Sequence, residues 1–371
     1  MHRSMSTFSV IVAAGALFIV GSAIRGAGTS ASQAAPAAPL MAVLDRFTAP
    51  DVPALGPAEA EVAARKSDQP IPTGLPGKGL AEHPMLYIGE GYNKMFLVNN
   101  GKIVWTYSTG KGNEYDDVWM LSNGNILFSR MAYVAEITPK KNVVWRYDAP
   151  PRTEIHCCQP IGLDKVLFIR NGLPPKLMVM NINKSAIEIE HDLPAIEPPD
   201  PKTVHPQFRR VRYTAQGTYL VPFLNLHKVV EYDKDFKEIW SFPDADSLPA
   251  GEKFSPWAAI RLKNGNTLIT NEAGKSHLEV TPDKKIVWQL KPDDLPEEYR
   301  YPNTQTCTRL ANGNTIVCSR GTGGKGPQLI EVTPDKKVVW VLEDWATLGP
   351  ATAVQILDDP GIPENPGDSE H

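Results

Sequence analysis

The chain has 371 residues, 42% hydrophobic and 22% charged, which are ordinary proportions for a globular protein with a sizeable core. Its formal net charge is −4, with no run of Lys and Arg to mark a nucleic-acid surface and no basic amphipathic helix to mark a membrane surface. The 34 prolines and 28 glycines are a heavy load for a helical protein and suit a chain with many turns.

Arg3 gives a positive start, Phe8 to Ile24 is apolar, and Ser32-Gln33-Ala34 is a cleavage-like triplet. This pattern reads as a secretory signal peptide over residues 1–34. The apolar run, about 17 residues with two glycines, is short and weak for a membrane span. No Cys follows it, which argues against a lipid anchor. The expectation is a secreted or periplasmic protein with no stable membrane insertion once the leader is cleaved. Losing Arg3 and Arg25 would take the net charge from −4 to −6. Residues 35–80 are rich in Ala and Pro and read as a linker or extended arm.

From residue 81 to 359 the chain repeats itself. LSNGNILFS (121–129), LKNGNTLIT (262–270) and LANGNTIVC (310–318) each precede a copy of a second phrase. That phrase reads VAEITPKKNVVW (134–145), LEVTPDKKIVW (278–288) and LIEVTPDKKVVW (329–340). Each unit predicts a strand, an Asn-Gly turn, a second strand, a loop, a third strand, a Thr-Pro turn and a fourth strand carrying Trp. Divergent units begin at residues 85 and 214, and another spans 164–191, where Ile187 or Glu188 stands in for Trp. Trp105, Trp145, Trp240, Trp288 and Trp340 mark the other fourth strands. The first unit lacks its own first strand, and TAVQILDD (352–359) matches that strand. One four-stranded sheet cannot bury both faces alone, whereas a closed ring of them can. The predicted fold is therefore an all-β, six-bladed β-propeller of antiparallel blades, with a seventh blade as the variant reading. The C-terminal strand closes the ring, and residues 360–371 form a tail.

These units resemble the repeats of quinoprotein-type (PQQ-like) propellers and the propeller domains of bacterial arylsulfotransferases. The resemblance spans residues 84–358 and implies the architecture far more than an activity. The quinoprotein side of it would bring PQQ, carried by the Trp docking strands and the adjacent pair Cys157-Cys158. No Ca²⁺ and catalytic-Asp constellation matches, so no cofactor is expected. The arylsulfotransferase side implies a channel His attacking a sulfuryl group, with His156 as the first candidate.

Aligning the units at the turn glycine gives a map of the channel. Eight places before the glycine, or its equivalent, stand Asp116, His156, Arg209, Trp257, Gln305 and Thr352. Two places further on stand Val118, Cys158, Val211, Ala259, Cys307 and Val354, small and apolar, as packing around an axis requires. The first column varies from blade to blade, unlike a scaffold position, and predicts the rim of a ligand site at one channel mouth. His156 and Arg209 are the catalytic candidates. Asp116, Trp119, Gln159, His205, Arg212, Trp257 and Gln305 are the ligand-binding candidates. His205 with Arg209, Arg210 and Arg212 would suit a sulfate, phosphate or carboxylate group.

Cys307 and Cys318 lie symmetrically about their turn and are expected to face each other, as a disulfide or as two buried thiols. Cys157 and Cys158 are the other disulfide candidates. The Cys and His spacings do not match paired metal-ligand motifs, so no metal is expected. The stretch 321–326 is glycine-rich but leads into no helix, and reads as a blade loop. Three functions fit these residues. The first is a propeller binding a small molecule, anionic saccharide or peptide at the channel mouth. The second is an enzyme on the same ring, sulfuryl-transferring or lyase-like. The third is a scaffold holding an envelope protein.

Overall fold

The computed structural model describes residues 39–47, 77–89, 94–108 and 114–371. The leader read in residues 1–34 lies outside the described residues, as do residues 48–76 of the arm. Six antiparallel sheets form a ring, the expected six-bladed propeller. Blade one combines Ala353–Ile356 with Met85–Ile88, Met95–Asn99 and Lys102–Tyr107. Blade two spans Asp117–Met120 to Val143–Asp148, and blade three Gln159–Ile161 to Ala186–Asp192. Blade four spans Arg212–Tyr213 to Glu238–Phe242, blade five Pro256–Arg261 to Ile286–Leu290, and blade six Cys307–Arg309 to Val338–Leu342.

The Asn-Gly hairpins divide their labour differently from the sequence reading. Only the glycine takes the left-handed conformation in three of them, with φ of 85° at Gly124, 87° at Gly265 and 89° at Gly313. The asparagine contributes its side chain instead. Asn123 Oδ1 accepts the Asn125 amide at 2.8 Å, and Asn264 and Asn312 repeat the bond.

A one-residue bulge precedes each docking position. Glu136 lies opposite Trp145 while Ile137 lies opposite Val143, so Val144 is the extra residue. The same shift recurs at Ile239, Val287 and Val339. In blade three Val179 faces Ile189 and Met180 faces Ile187. The residue that replaces Trp is therefore Ile189, and neither Ile187 nor Glu188. The bulge turns Val144, Ile239 and Val287 out to solvent, one per blade, so they do not form a single apolar face.

The tryptophans dock each blade on the next. Trp105 Nε1 donates to the Pro139 carbonyl at 2.9 Å, Trp240 to Pro282 at 3.0 Å and Trp288 to Pro334 at 2.8 Å. That carbonyl is available because the Thr-Pro turn closes through the threonine carbonyl, as in Lys141 N to Thr138 O. An arginine from the following blade completes the joint. Arg261 pairs with Glu231 and lies 5.2 Å from the Trp240 ring, and Arg309 pairs with Glu279 and lies 5.6 Å from Trp288. The repeated phrase thus supplies both plug and socket.

Blade one lacks a Thr-Pro turn, and the arm replaces it where the ring closes. Gly77–Lys78 pairs in parallel with Val338–Leu342, and Gly79 offers its carbonyl to Trp340 Nε1 at 3.0 Å. His83 stands where the arginine would, 2.9 Å from Glu331 and edge-on to Trp340. Pro39–Phe47 forms a short 3₁₀ helix whose Leu40, Val43, Leu44 and Phe47 pack into the core of blades one and two.

Candidate active site at the upper mouth

The face that carries the connections between one blade's fourth strand and the next blade's first is called upper here. The face that carries the Asn-Gly turns is called lower. Asp116, His156, Arg209, Trp257, Gln305 and Thr352 are all buried at the upper starts of the inner strands. Their contacts run from blade to blade. His156 Nδ1 lies 3.1 Å from Asp116 Oδ2, and His156 Nε2 lies 2.8 Å from Glu154 Oε2. The same Glu154 oxygen lies 2.8 Å from His205 Nδ1, and His205 Nε2 lies 2.8 Å from Arg209 Nη2. The Arg209 guanidinium sits 4.9 Å from the Trp257 ring centroid, and Arg320 sits 5.8 Å from it. Thr306 Oγ1 donates to the Thr352 carbonyl at 2.9 Å.

Proton positions follow from chemistry. Arg209 can only donate, so His205 Nε2 accepts and His205 Nδ1 carries the proton given to Glu154. Burial disfavours a charge on His156, but Asp116, with Glu154 adding a hydrogen bond, raises its pKa against the opposing Arg209. Partial burial opposes the charge on Glu154, yet the two histidines hold its pKa well below the usual carboxylate range. Among the described residues, Asp116 Oδ1, Arg209 Nε, Thr304 Oγ1 and Gln305 Oε1 are buried at this mouth with no hydrogen-bond partner. Each such group costs about 1–3 kcal/mol in an apolar setting, so their concentration in one place makes this mouth the candidate site.

A groove of about 740 Å³ opens beside this network. Glu154 and His205 link it to the axis, Arg152 and Lys202 edge it, and Leu173 and Val204 give it apolar wall. His205 has 45% of its side chain exposed, against 1% for His156. His156 therefore positions the network, and His205 is the histidine that a ligand can touch.

Several expected site residues lie elsewhere. Trp119 Nε1 is bonded to the Cys158 carbonyl at 2.7 Å, and its ring meets His371 edge-on. Gln159 stitches blade three to blade four, accepting from Tyr213 N at 2.6 Å and donating to Tyr213 O at 3.2 Å. Arg212 pairs with Asp117 at 2.8 Å, and Arg210 takes the other Asp117 oxygen at 2.5 Å. Asp117 is fully buried, and that burial is outweighed by the two arginines, which keep its pKa low. Trp257 is only 6% exposed and already lies between two guanidiniums, so it offers no face to a ligand. Glu154 escaped the sequence reading although it stands two residues before His156, the spacing that puts two strand side chains on one face. Arg320 and Thr304 carried no such signal.

The lower mouth is covered. The segment from Asp359 to His371 lies against blades two to six: Asp359 accepts from Ala311 N at 2.8 Å, the Glu370 carbonyl from Arg309 N at 3.1 Å and the His371 carbonyl from Arg212 Nε at 2.8 Å, while Lys263 donates to the Asp368 carbonyl at 2.9 Å. The Glu364 carbonyl accepts from Gly162 N at 2.8 Å, and its side chain accepts from Ser122 N at 3.2 Å. His371 ends buried on the axis, with its ring 3.1 Å from the Val118 carbonyl. Burial, helped by the nearby Arg212, pushes its pKa down to about 3.

All four cysteines are buried thiols. Cys307 lies opposite Val317, one residue away from the expected partner, so Cys318 points to the other face of the sheet. Cys157 packs with Leu167 and Phe208, whereas Cys158 packs with Trp119 and Phe168. The vicinal pair therefore straddles two cores and shows no joint face to a quinone, so these residues do not fit PQQ. Burial pushes Cys157 and Cys318 up to about 12 and Cys307 to about 11.

The chain is similar to a protein of unknown function from Bacteroides caccae. The two share 25% identity over 73% of this chain and 97% of that one, with a TM-score of 0.63. It is also similar in fold to the virginiamycin B lyase of Staphylococcus aureus, in a catalytically inactive histidine-to-alanine variant solved with quinupristin. That likeness has 13% identity, covers 76% of this chain and 95% of the lyase, and has a TM-score of 0.52. No protein-family model and no curated protein matches the sequence.

Proposed function

We propose that this chain is a ligand-binding propeller that takes a small acidic molecule, a saccharide acid or a short peptide, in the groove at its upper mouth. The observation that carries this reading is the groove itself, where the exposed His205 and the half-buried Glu154 stand beside Arg152 and Lys202. The partnerless atoms of Asp116, Arg209, Thr304 and Gln305 are buried outside its lining. Arg152 and Lys202 at the edge of the groove favour a negative group, and Leu173 and Val204 favour an apolar body. The reading of residues 1–34 adds a secreted or periplasmic location.

The test is a thermal-shift screen with uronic acids, sulfated sugars and acidic dipeptides, run in EDTA. At least one class should raise the melting temperature, and the shift should vanish in the double variant Arg152→Ala, Lys202→Ala. If no class moves the wild type, or the double variant responds equally, the groove is not the site.

A second reading is lyase-type proton abstraction, favoured by one feature. His205 is exposed on the groove with its proton held on Nδ1 by Glu154, and its Nε2 becomes a base once an acidic group of the ligand draws Arg209 away. The fold likeness to a lyase that fails when a histidine is removed adds a reason to assay it. Sulfuryl transfer by His156 finds less support, since a nucleophile needs a free ring nitrogen and both of His156's meet carboxylates.

A further inference from the structure

We infer that the upper mouth holds a divalent-cation site formed by Glu114, Asp116 and His156. One carboxylate oxygen from each acid and His156 Nδ1 lie within 4.8 Å of one another. His156 Nδ1 is 3.1 Å from Asp116 Oδ2 and 4.0 Å from Glu114 Oε2. Two ligands of one ion, each bonded at about 2.1 Å, stand about 3.0–3.4 Å apart at adjacent corners of an octahedron or tetrahedron. The first separation fits as it stands, and the second needs a small turn of the Glu114 side chain.

Three observations favour this triad. First, Asp116 is 2% exposed and its Oδ1 has no partner, an arrangement that a chelated cation relieves. Second, the outer groups are already in place. His156 keeps a proton on Nε2 and gives it to Glu154 at 2.8 Å, Glu154 is held in turn by His205 at 2.8 Å, and the ion displaces the proton that Nδ1 shares with Asp116. A carboxylate behind a ligating imidazole orients the ring and raises its basicity. Third, the competing cluster of Glu154, His156 and His205 fails on proton count. Arg209 donates to His205 Nε2, so His205 Nδ1 bears hydrogen and has no lone pair for a metal.

Two carboxylates and one imidazole suit a borderline ion such as Mn²⁺, Fe²⁺ or Zn²⁺ and leave coordination positions for water or ligand oxygens. The ligands come from two blades, 40 residues apart between Asp116 and His156, which is why no sequence spacing announced them. The inference stands apart from the acidic-ligand reading, because that screen runs in EDTA and this one uses metal alone.

The experiment is calorimetric titration of the EDTA-treated full chain with MnCl₂ and with ZnCl₂, backed by the electron paramagnetic resonance of bound Mn²⁺. Saturable one-site binding of at least one ion is expected. Asp116→Asn and Glu114→Gln should each weaken it by about tenfold or more. His205→Ala removes a group behind Glu154 and no ligand, and should weaken binding less than either. Near-ultraviolet circular dichroism checks folding of the buried Asp116 variant, and Glu114, whose side chain is 22% exposed, supplies the variant that keeps its fold. Absence of saturable binding by the wild type overturns the site. So does unchanged affinity in Glu114→Gln, or a loss in His205→Ala as large as that in Asp116→Asn.

Discussion

His83 does at the ring's seam what an arginine does at two other blade joints. Its ring is 2.9 Å from Glu331 and 3.4 Å from Asp358, so it bridges blade six to the segment that follows the closing strand. Burial alone would discharge it, but the hydrogen bonds it donates to both carboxylates raise its pKa to about 9. A histidine has an ordinary pKa near 6.5 when unfolded, so the folded state binds the proton more tightly. The stabilisation is complete below pH 6.5 and disappears as pH rises through about 9. Urea unfolding of wild type and His83→Gln from pH 6 to pH 10 checks this. The difference in stability should be largest at low pH and shrink towards zero above pH 9. A difference independent of pH would mean that His83 acts only through packing. The sequence offered no hint of this role, because His83 belongs to no repeat and its partners lie some 250 to 275 residues away.

Elements succeed here by carrying two halves of one joint. A fourth strand brings Trp, and the third-to-fourth turn of the next blade brings the proline carbonyl that receives it. Trp288→Phe should keep the apolar contact and lose the 2.8 Å bond to Pro334, together with most of the attraction to Arg309. A loss of about 1–2 kcal/mol is expected, measured by chemical denaturation. Trp145 has no Thr-Pro turn to meet in blade three, so Trp145→Phe should cost less. Equal losses would show that burial alone sets the value of these side chains. At this scale the sequence was largely legible. Alternating apolar residues, turn glycines and the Thr-Pro phrase predicted strands, hairpins and docking between blades. Parity was what it hid. A single bulge residue at Val144, Ile239 or Val287 reverses which side chains face inward, and no local composition marks it. The same sensitivity to one residue separated Cys307 from Cys318.

The whole molecule has a seam, and three pieces of chain hold it. Ala353–Ile356 supplies the inner strand of blade one, Gly77–Lys78 lies along the outer strand of blade six, and the segment from Asp359 to His371 covers the lower mouth. Unlike rim residues could be read from the repeat because a propeller places equivalent positions around one axis. Asp116, His156 and Arg209 stand at one mouth, whereas Trp119, Gln159 and Arg212 turned toward packing and the lower mouth. The covering segment was invisible because its contacts are to single groups scattered over several blades. Two truncations separate these contributions. Removing 361–371 uncovers the Asp117, Arg210 and Arg212 cluster but leaves every inner strand, so a cooperative transition at lower temperature is expected. Removing 353–371 takes away the inner strand of blade one and exposes Leu86 and Tyr87, both fully buried. An open ring then has two unpaired ends, and calorimetry should find no single cooperative transition. If the longer truncation melts as sharply as the shorter, the closing strand is not what makes the six blades one folding unit.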